Sequence, residues 1–375
     1  MMNELFTPPN KDAIDALEEL YAPMRKVMPL KKNQYALLPR SIQELSYILT
    51  QQRGEMPFYW SSPRLRSAYF YYFMPWNLVR LAQCIPNIQL PELAYIEEYP
   101  FILDIGSGPL TLPLALWLFR KDLRDIPLTI YCYDTAKHPM EYGKRLLEEI
   151  MPTQKWKIIL IDARKTHYRD IKTKVALTIA SNVINELVQR KTRSMEESLA
   201  HVYTMLTYHL AHKSHALCIE IGTRLGGTII SALHDIVVEA EEYDIIAPCT
   251  HNNVCPYSEG RQKTWCHFSF ADFVAPTWLT KLSTRADLPK TTLSTSLLHI
   301  GNGVENIYNS RILSSPIYIP STKEYIRYVC REDGIGVLEK AKRYVQGTAL
   351  NTQISIPQRI DEKTGCPFVS LVKEK

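Results

Sequence analysis

Hydrophobic and polar positions change their rhythm near residue 96. From about residue 10 to 95, apolar residues recur at helical spacing, as in IDALEELYAPMRKVM and SIQELSYILTQQRG. No segment in this part alternates apolar and polar residues as a half-buried strand would. The pattern predicts an N-terminal helical domain over residues 1–95.

Apolar runs of strand length follow, separated by helical stretches. The runs are FILDIGSG, LTIYCYD, WKIILID, VALTIASN and ALCIEIG, and LPLALWLFRKDL and HPMEYGKRLLEEIM are two of the stretches between them. Solidly apolar strands that alternate with helices are typical of a doubly wound, largely parallel sheet. TTLSTSLLHIGNG and EYIRYVCRED predict later strands that close the sheet antiparallel. We therefore expect an α/β protein with a Rossmann-like sheet, and a loose tail from about residue 351.

Composition narrows the class only slightly. The chain has 375 residues, of which 46% are hydrophobic and 22% charged, so we expect a globular protein of two or three modules. A net charge of +5 permits an RNA partner without requiring one. The first residues have no apolar signal core and are too acidic for a transit peptide, and no apolar run is long enough to span a membrane. The sequence predicts a cytoplasmic protein without membrane contact, whose eight cysteines are free thiols or metal ligands.

The first predicted strand ends in LDIGSGPLTLPLAL, which contains a glycine turn. Asp104 closes the strand, Gly106 and Gly108 allow a close backbone approach by a ligand, and a helix begins near Thr111. The third glycine of the G-x-G-x-x-G dinucleotide motif is absent. An acidic residue directly before the glycines resembles S-adenosylmethionine methyltransferases, in which the loop faces the methionine part of the cofactor.

Polar side chains also end the next three predicted strands. Asp134 is placed to accept hydrogen bonds from ribose hydroxyls, and Asp162 follows the strand at which methyltransferases contact adenine. Asn182 and Glu186, in SNVINEL, are the candidate catalytic residues. The predicted cofactor-binding set is Asp104, Gly106, Gly108, Asp134, Asp162 and Asn182. Each of these residue types is also common in turns after strands, so any one of them alone could have a purely structural role.

Two features weaken the case for catalysis. Pro109-Leu110 stands where a third small residue is usual and crowds the cofactor loop. SNVINEL also lacks the Asn/Asp-Pro-Pro-aromatic signature of exocyclic-amine methyltransferases. The sequence leaves open whether the fold is catalytically active.

The stretch APCTHNNVCPYSEGRQKTWCHF concentrates soft metal ligands. Its cysteines follow the pattern C-x5-C-x10-C, with Cys249, Cys255 and Cys266 as three candidate ligands. A closed site needs a fourth, for which His251 and His267 are local candidates and Cys330 a distant one. The spacing matches neither the paired C-x2-C of zinc ribbons nor a ferredoxin run. Unligated surface cysteines are the alternative, and Cys249 after Pro248 also allows a weaker interpretation as a cytosine-C5 nucleophile.

The remaining cysteines are poor ligand candidates. Cys84, Cys132 and Cys218 lie inside apolar helix or strand segments, where cysteine acts as a small hydrophobe. Cys366 lies in the predicted tail.

Several segments together resemble the methyltransferase-like assembly factors of the ribosomal small subunit, which occur in mitochondria and bacteria. The family's Glu-Pro-Gly-Thr, Ala-Pro-Cys-Pro-His, Cys-Pro and Trp-Cys-His-Phe motifs correspond to residues 220–223, 247–251, 255–256 and 265–268. LDIGSGP matches its cofactor loop, and SRILSSPIYIPSTKEYIRYVCREDG resembles its C-terminal segment. The likeness covers roughly residues 99–347. Ile221 replaces the family proline, and Leu110 replaces a glycine of the cofactor loop.

This resemblance implies a structural [4Fe–4S] cluster held by Cys249, Cys255, Cys266 and Cys330. It further implies binding to small-subunit rRNA and ribosomal precursor particles, with S-adenosylmethionine as a second cofactor and weak or absent methyl transfer. We expect a monomer off the ribosome. The alternatives are an active S-adenosylmethionine-dependent rRNA methyltransferase and a zinc-stapled RNA-binding protein.

The implied domains are the helical residues 1–95, a methyltransferase-like domain over 96–246 and 271–347, a Cys-rich insertion over 247–270 completed by Cys330, and a tail over 348–375. Cations and aromatic residues mix in PRLRSAYFYYFMPWNLVR, which suits RNA contact or, equally, a helical core. The candidates there are Arg64, Arg66, Tyr69, Tyr71, Tyr72, Trp76 and Arg80. Further cations that suit phosphate contact are Arg224, Arg261, Lys263, Arg359, Lys363, Lys373 and Lys375.

Overall fold

The computed structural model describes residues 4–51, 59–91, 101–151, 155–189, 193–258, 264–271, 273–302, 307–320, 322–355 and 358–372. Two compact units divide the chain. We call Pro8–Ala211 with Ala271–Leu293 the N-terminal unit, and Met1–Thr7 with His212–Phe270 and Ser294–Lys375 the C-terminal unit. The predicted cofactor residues fall in the first and the four predicted cluster cysteines in the second.

The helices are α1 Lys11–Glu19, α2 Tyr21–Val27, α3 Lys32–Gln51, α4 Pro63–Ala68, α5 Met74–Cys84, α6 Thr111–Phe119, α7 Lys137–Ile150, α8 Ile184–Val188, α9 Met195–Thr207, α10 Arg224–Ala240 and α11 Thr277–Arg285. The strands are β1 Phe101–Ile105, β2 Thr129–Asp134, β3 Lys157–Asp162, β4 Val175–Ser181, β5 Leu210–Ile221, β6 Asp244–Ala247, β7 Phe268–Phe270, β8 Leu293–Gly301, β9 Ser310–Ile312, β10 Ile317–Ile319, β11 Glu324–Arg331, β12 Gly334–Leu338, β13 Ala349–Leu350, β14 Thr352–Ile354 and β15 Phe368–Leu371.

The larger sheet has the strand order β3-β2-β1-β4-β5-β8-β6, and β7 also pairs with β8. In the N-terminal unit, β1 pairs in parallel with both β2 and β4. In the C-terminal unit, β8 is antiparallel to β5 and to β6. The order reverses between β1 and β4, which is the switch point where open α/β sheets bind ligands. This topology confirms the predicted class I methyltransferase sheet, including its antiparallel closure by β8.

The N-terminal helices α1 to α5 pack around aromatic side chains. A π-helical turn over Tyr69–Phe73 joins α4 to α5. The Tyr71 hydroxyl donates to the Met28 carbonyl at 2.5 Å, and the Tyr72 hydroxyl to the Leu288 carbonyl at 2.8 Å. Both tyrosines are buried, so these rings belong to the core of the unit. The described residues up to Asn87 contain helices and no named strand, as the sequence predicts.

A second, seven-stranded sheet lies entirely in the C-terminal unit. Its order is β13-β9-β11-β12-β15-β14, with β10 paired to β11. Its apolar face buries Ile312, Val329, Leu338, Ala341, Tyr344, Leu350 and Val369. The expectation of a loose tail is wrong, because β14 and β15 pair within this sheet and β15 also pairs in parallel with β12. The strand predicted at EYIRYVCRED is β11, which belongs to this sheet rather than to the larger one.

None of the helices in the described ranges is both long and apolar enough to cross a lipid bilayer. None of the eight cysteines, all within the described residues, forms a disulfide.

Candidate functional site

The glycine turn after β1 forms the first candidate site, in the N-terminal unit. Gly106 and Gly108 have φ angles of 71° and 49°, a left-handed backbone conformation that residues other than glycine rarely adopt. A Cβ atom on Gly106 would lie 2.3 Å from the Val183 side chain, whereas one on Gly108 would meet nothing within 4 Å. The turn is therefore tightly covered at Gly106 and open at Gly108.

Two buried acceptor atoms beside this turn have no hydrogen-bond partner among the residues that the structure describes. They are Oδ2 of Asp104 and Oδ1 of Asn182. Asp104 is 1% exposed, and burial raises its pKa to about 8, so at neutral pH the carboxyl group is mostly protonated. Asn182 has a φ of 57° and donates from Nδ2 to the Ser181 hydroxyl at 3.2 Å. Unsatisfied buried acceptors cost stability, so this pair suits a ligand that brings donors or positive charge.

Asp134 is tied to the same turn. Its Oδ2 accepts from the Gly108 amide at 2.8 Å, and its Oδ1 accepts from the Ala136 amide at 2.7 Å. Burial raises the pKa of Asp134, and these amide bonds act in the opposite direction. An ionised carboxylate has about four acceptor positions, so Asp134 keeps capacity for further donors such as hydroxyl groups.

Asp162 has a different environment from the other two acids. Its two oxygens accept from Nε and Nη2 of Arg164 at 2.9 Å and 2.8 Å. This pairing lowers the pKa of Asp162 to about 2. A ligand that uses Asp162 would have to share or displace Arg164.

Glu186, in α8, lies near two tyrosines of the helical part. Burial raises the pKa of Tyr59 well above its usual value, and the Glu186 carboxylate raises it further. The pKa of Tyr69 rises for the same two reasons. The Tyr59 and Tyr69 rings are stacked, with centroids 6.1 Å apart. Sequence reasoning missed Tyr59, because only Glu186 follows a strand and no local pattern links it to residue 59.

The second candidate site is the set of four cysteines in the C-terminal unit. Cys249 follows β6, Cys255 lies in the next loop, Cys266 precedes β7, and Cys330 lies on β11. Their exposures are between 4% and 8%. The four cysteines therefore lie below the surface rather than on it. The structure also separates them from Cys84, Cys132 and Cys218, which lie in helix or strand interiors as expected.

The four thiols influence one another's ionisation. A hydrogen bond from the Cys330 thiol holds the pKa of Cys249 well below its usual value, and the same contact raises that of Cys330. Burial and the neighbouring Cys249 thiolate raise the pKa of Cys255 to about 11. Burial, Cys249 and Cys255 also raise the pKa of Cys266. The thiols therefore share one low-dielectric region.

Polar and cationic groups surround these thiols. Nε2 of His251 lies 3.7 Å from the Cys330 sulfur. Arg311 is 1% exposed and donates from Nη1 to the Gly347 carbonyl at 2.8 Å and from Nε to the Pro248 carbonyl at 2.5 Å. Burial lowers the pKa of Arg311 to about 10, and the neighbouring sulfurs of Cys249 and Cys330 favour its charged form. Arg311 was missed from the sequence, although a lone arginine in the apolar run SRIL was a usable signal.

His234 was missed as well, although His-Asp interrupts the apolar helix α10. Burial opposes its protonation, but the Cys249 thiolate and Asp235 outweigh burial and raise the pKa of His234 to about 9. Asp235 Oδ1 lies 3.1 Å from Nδ1 of His234 and accepts from the Cys255 amide at 2.7 Å. These contacts connect α10 to two of the cysteines.

His267, the other local ligand candidate, has a different partner. Its ring stacks on Trp265 with centroids 4.9 Å apart, and its Nδ1 lies 2.9 Å from the Trp265 carbonyl oxygen. Within the part of the chain that the structure describes, no three or more His, Cys, Asp or Glu side chains are arranged to hold a metal ion.

Most predicted RNA-contact residues of the N-terminal helices lie in the core. Trp76 is buried and donates to the Ser283 hydroxyl at 3.1 Å, and Arg80 is buried and bonds Asn77 at 2.6 Å. Arg64 lies at the surface and pairs with Glu44. Among the cations predicted to meet phosphate, Arg359 pairs with Glu339 at 3.0 Å. Arg261, Lys263, Lys373 and Lys375 lie outside the described residues.

The sequence matches the family described as mitochondrial small ribosomal subunit Rsm22 over residues 89–335, about two thirds of the chain. No curated protein matches the sequence significantly.

The fold is similar to those of several solved methyltransferases. One is a putative SAM-dependent methyltransferase from Streptococcus mutans, at 8% identity and a TM-score of 0.34, with 58% of this chain and 47% of that chain covered. The chain thus spans about half the length of that protein. Another is a methyltransferase from Pyrococcus furiosus, at 9% identity and a TM-score of 0.32, with 56% and 79% covered. A third is TrmK from M. capricolum in complex with S-adenosyl-homocysteine, at 11% identity and a TM-score of 0.29, with 57% and 68% covered. These likenesses are too remote to inform the reaction.

Proposed function

Because the chain belongs to the Rsm22 family of the mitochondrial small ribosomal subunit, we propose that it is an assembly factor that binds small-subunit rRNA and ribosomal precursor particles. The methyltransferase-like sheet serves as its scaffold, and a structural [4Fe–4S] cluster stabilises its C-terminal unit. Methyl transfer is weak or absent. The grouping of four buried, mutually interacting thiols is the single observation that carries the cluster assignment.

The resemblance to the small-subunit assembly factors favours a cluster over a zinc ion. Zinc–sulfur bonds of about 2.3 Å require four sulfurs packed tightly around one point. In a [4Fe–4S] cluster each cysteine binds a different iron, so the four sulfurs are spread more widely. Cys249, Cys255, Cys266 and Cys330 would be the ligands.

The surroundings of the thiols fit an anionic cluster. His251 approaches the Cys330 sulfur, and Arg311 places a buried positive charge near Cys249 and Cys330. Hydrogen bonds and charge around sulfur ligands stabilise clusters and tune their potentials. The cluster would connect the loop after β6 to β11, and thereby rigidify the unit.

Iron and acid-labile sulfide analysis of anaerobically purified protein tests this assignment. We expect equal amounts of iron and sulfide with broad visible absorbance. Cys330→Ser should lose most of both, whereas Cys366→Ser, a thiol far along the chain from the site, should keep them. A colourless protein that carries one zinc ion would overturn the cluster and support the zinc-stapled alternative.

The ribosomal role has its own test. Sedimentation of cell extracts should place a tagged chain with small-subunit precursor particles, and crosslinking should recover small-subunit rRNA. Absence from every ribosomal fraction would contradict the assembly role. The same tagged chain tests the cytoplasmic location by imaging, and ultracentrifugation of the purified protein tests its monomeric state.

An S-adenosylmethionine site at the glycine turn is favoured by the two unsatisfied acceptors of Asp104 and Asn182. The ammonium group of the cofactor would supply the missing donors to both. Asp134 would accept from the ribose hydroxyls, Gly106 and Gly108 would allow the backbone to approach, and Asp162 would meet the adenine edge. When bound, the cofactor supplies an activated methyl group.

An active rRNA methyltransferase is therefore the second candidate function. Asn182 and Glu186 are the residues near the acceptor, where Glu186 would orient the accepting group and Tyr59 and Tyr69 would exclude water. Leu110 opposes this activity, because it is fully buried with a φ of 55° in the cofactor loop. Calorimetry with S-adenosylmethionine tests the site, and methyl incorporation into small-subunit rRNA tests the reaction.

A further inference from the structure

A pair of tyrosines, one exposed and one half-buried, lies on the hairpin of β10 and β11, in the C-terminal unit. Tyr318 and Tyr325 face each other in the antiparallel register, and their ring centroids are 5.2 Å apart. Tyr318 is 49% exposed, whereas Tyr71 and Tyr72 in the helical core are each 1% exposed. The tyrosine pair contributes little to a core, so its position on the surface suggests recognition of a partner.

Positive charge accompanies this pair. Nζ of Lys342 lies 5.2 Å from the centroid of the Tyr325 ring. The Ala341 amide donates to the Tyr325 carbonyl at 3.0 Å and so holds residues 340–343 beside the hairpin. Residues 317–326 and 340–343 contain four lysines and arginines but one acidic residue, Glu324. This excess of cations favours a polyanionic partner.

The edge of the hairpin is poorly suited to pairing with a protein strand. β10 is an edge strand bonded to β11, and prolines at positions 316 and 320 flank it. Proline has no backbone N–H, and prolines at a strand edge discourage the addition of another strand. The accessible feature is therefore the aromatic and cationic face rather than the backbone.

We propose that this tyrosine–lysine surface, formed by Tyr318, Tyr325 and Lys342, binds single-stranded RNA. Unpaired bases stack on the tyrosine rings, and the lysines neutralise the adjacent phosphates. The inference rests on the proposed rRNA-binding function and names the surface that carries it. Stacking on the two tyrosine rings does not select a particular RNA sequence, because every base has a face that can stack.

Fluorescence anisotropy of a labelled oligouridine with the full chain tests this surface. Tyr318→Ala should weaken binding at least about fivefold, and Tyr318→Phe should retain wild-type affinity because its ring still stacks. Lys342→Ala should reduce the slope of log affinity against log salt by about 0.7, the value for one phosphate of a single strand. Tyr47→Ala is the matched control, since Tyr47 is 57% exposed on α3 and should not affect binding.

The outcomes separate this inference from the ribosomal role. Wild-type binding that Tyr318→Ala leaves unchanged would overturn the surface. A Tyr318→Ala variant that binds oligouridine normally but no longer sediments with precursor particles would identify a protein partner instead. A wild-type chain that sediments with precursors but does not bind oligouridine would refute the surface and keep the function. A chain that does neither would refute both.

Discussion

Replacing Asp104 with asparagine tests whether this buried acid near the end of β1 lowers the stability of the fold while it contributes to a ligand site. The carboxyl group is buried, its Oδ2 has no partner, and its neighbour Asp134 is also acidic. Asparagine has nearly the same shape and carries no ionisable proton. We expect Asp104→Asn to be more stable than the native sequence and to bind S-adenosylmethionine less tightly.

The size of the effect follows from the pKa. Burial raises the pKa of Asp104 from 3.8 to about 8, so at pH 7 the unfolded chain releases a proton that the folded protein keeps. Roughly three pH units separate 3.8 from 7, and each contributes about 1.4 kcal/mol against folding, so the cost is on the order of 4 kcal/mol. This contribution vanishes below pH 3.8, because both states are then protonated. The stability of the native sequence therefore falls as pH rises from about 4 to 8.

Urea unfolding at several pH values and calorimetry with S-adenosylhomocysteine measure the two consequences. The gain in the free energy of unfolding from Asp104→Asn should shrink as pH is lowered from 8 to 4. Its affinity for the cofactor product should fall about tenfold or more, because Asp104 can ionise beside the ligand's ammonium group and form an ion pair, whereas asparagine stays neutral. Asp125→Asn is the control, since Asp125 is 87% exposed, pairs with Lys155 at the surface, and should leave both stability and ligand affinity nearly unchanged. An Asp104→Asn protein that is less stable at pH 8 and binds the ligand normally would refute the reasoning.

Three further changes test the core around the two sites. His299 and His215 are buried with ring nitrogens 3.1 Å apart, and burial lowers the pKa of His299 to about 3. The free energy of unfolding should therefore decrease as the pH is lowered from 6.5 to 3, by up to about 1.4 kcal/mol per pH unit. In urea unfolding, His299→Gln should remove that dependence on pH. Gly106→Ala should cost about 1–2 kcal/mol for the left-handed backbone plus a clash with Val183, and Val183→Ala in the same chain should recover only part of the clash, because the Cβ of residue 183 would still lie 2.5 Å from the added methyl group. Arg311→Met should lower the free energy of unfolding by more than about 2 kcal/mol, because two buried carbonyls lose their donor, and retained iron should fall with it.

The candidate cofactor site at the edge of the larger sheet was largely predictable from local sequence. Parallel strands that are buried on both faces have continuous apolar sequences. The first polar residue after such a run therefore marks the end of the strand in the sequence. Asp104, Asp134 and Asn182 accordingly lie where the sequence predicts. Their partners were not predictable, because the Asp134 contact to Gly108 depends on the turn geometry, and the Arg164 contact to Asp162 depends on side-chain direction.

The C-terminal unit was less predictable, because its strands are short and pair with distant segments. β13, β14 and β15 have two to four residues each. Such segments show no clear alternation, and the prolines and lysines among them suggested a loose tail. The pairing of β15 with β12 and β14 supplies the order that local composition does not show.

Cys330 shows why the fourth thiol could not be derived from spacing. It lies on β11, opposite Arg311 of β9 on one side and Ile335 of β12 on the other. Its approach to Cys249 therefore depends on strand pairing rather than on the local loop, where His251 and His267 were equally plausible ligands. Arg311 connects the loop that carries Cys249 to strand β11, which carries Cys330. Its guanidinium group donates to the Pro248 carbonyl next to Cys249, and its backbone lies opposite Cys330 in the strand pairing. The second sheet consequently acts as the frame of the cysteine site, and loss of β9 or β11 pairing should release the thiols even though every cysteine is present.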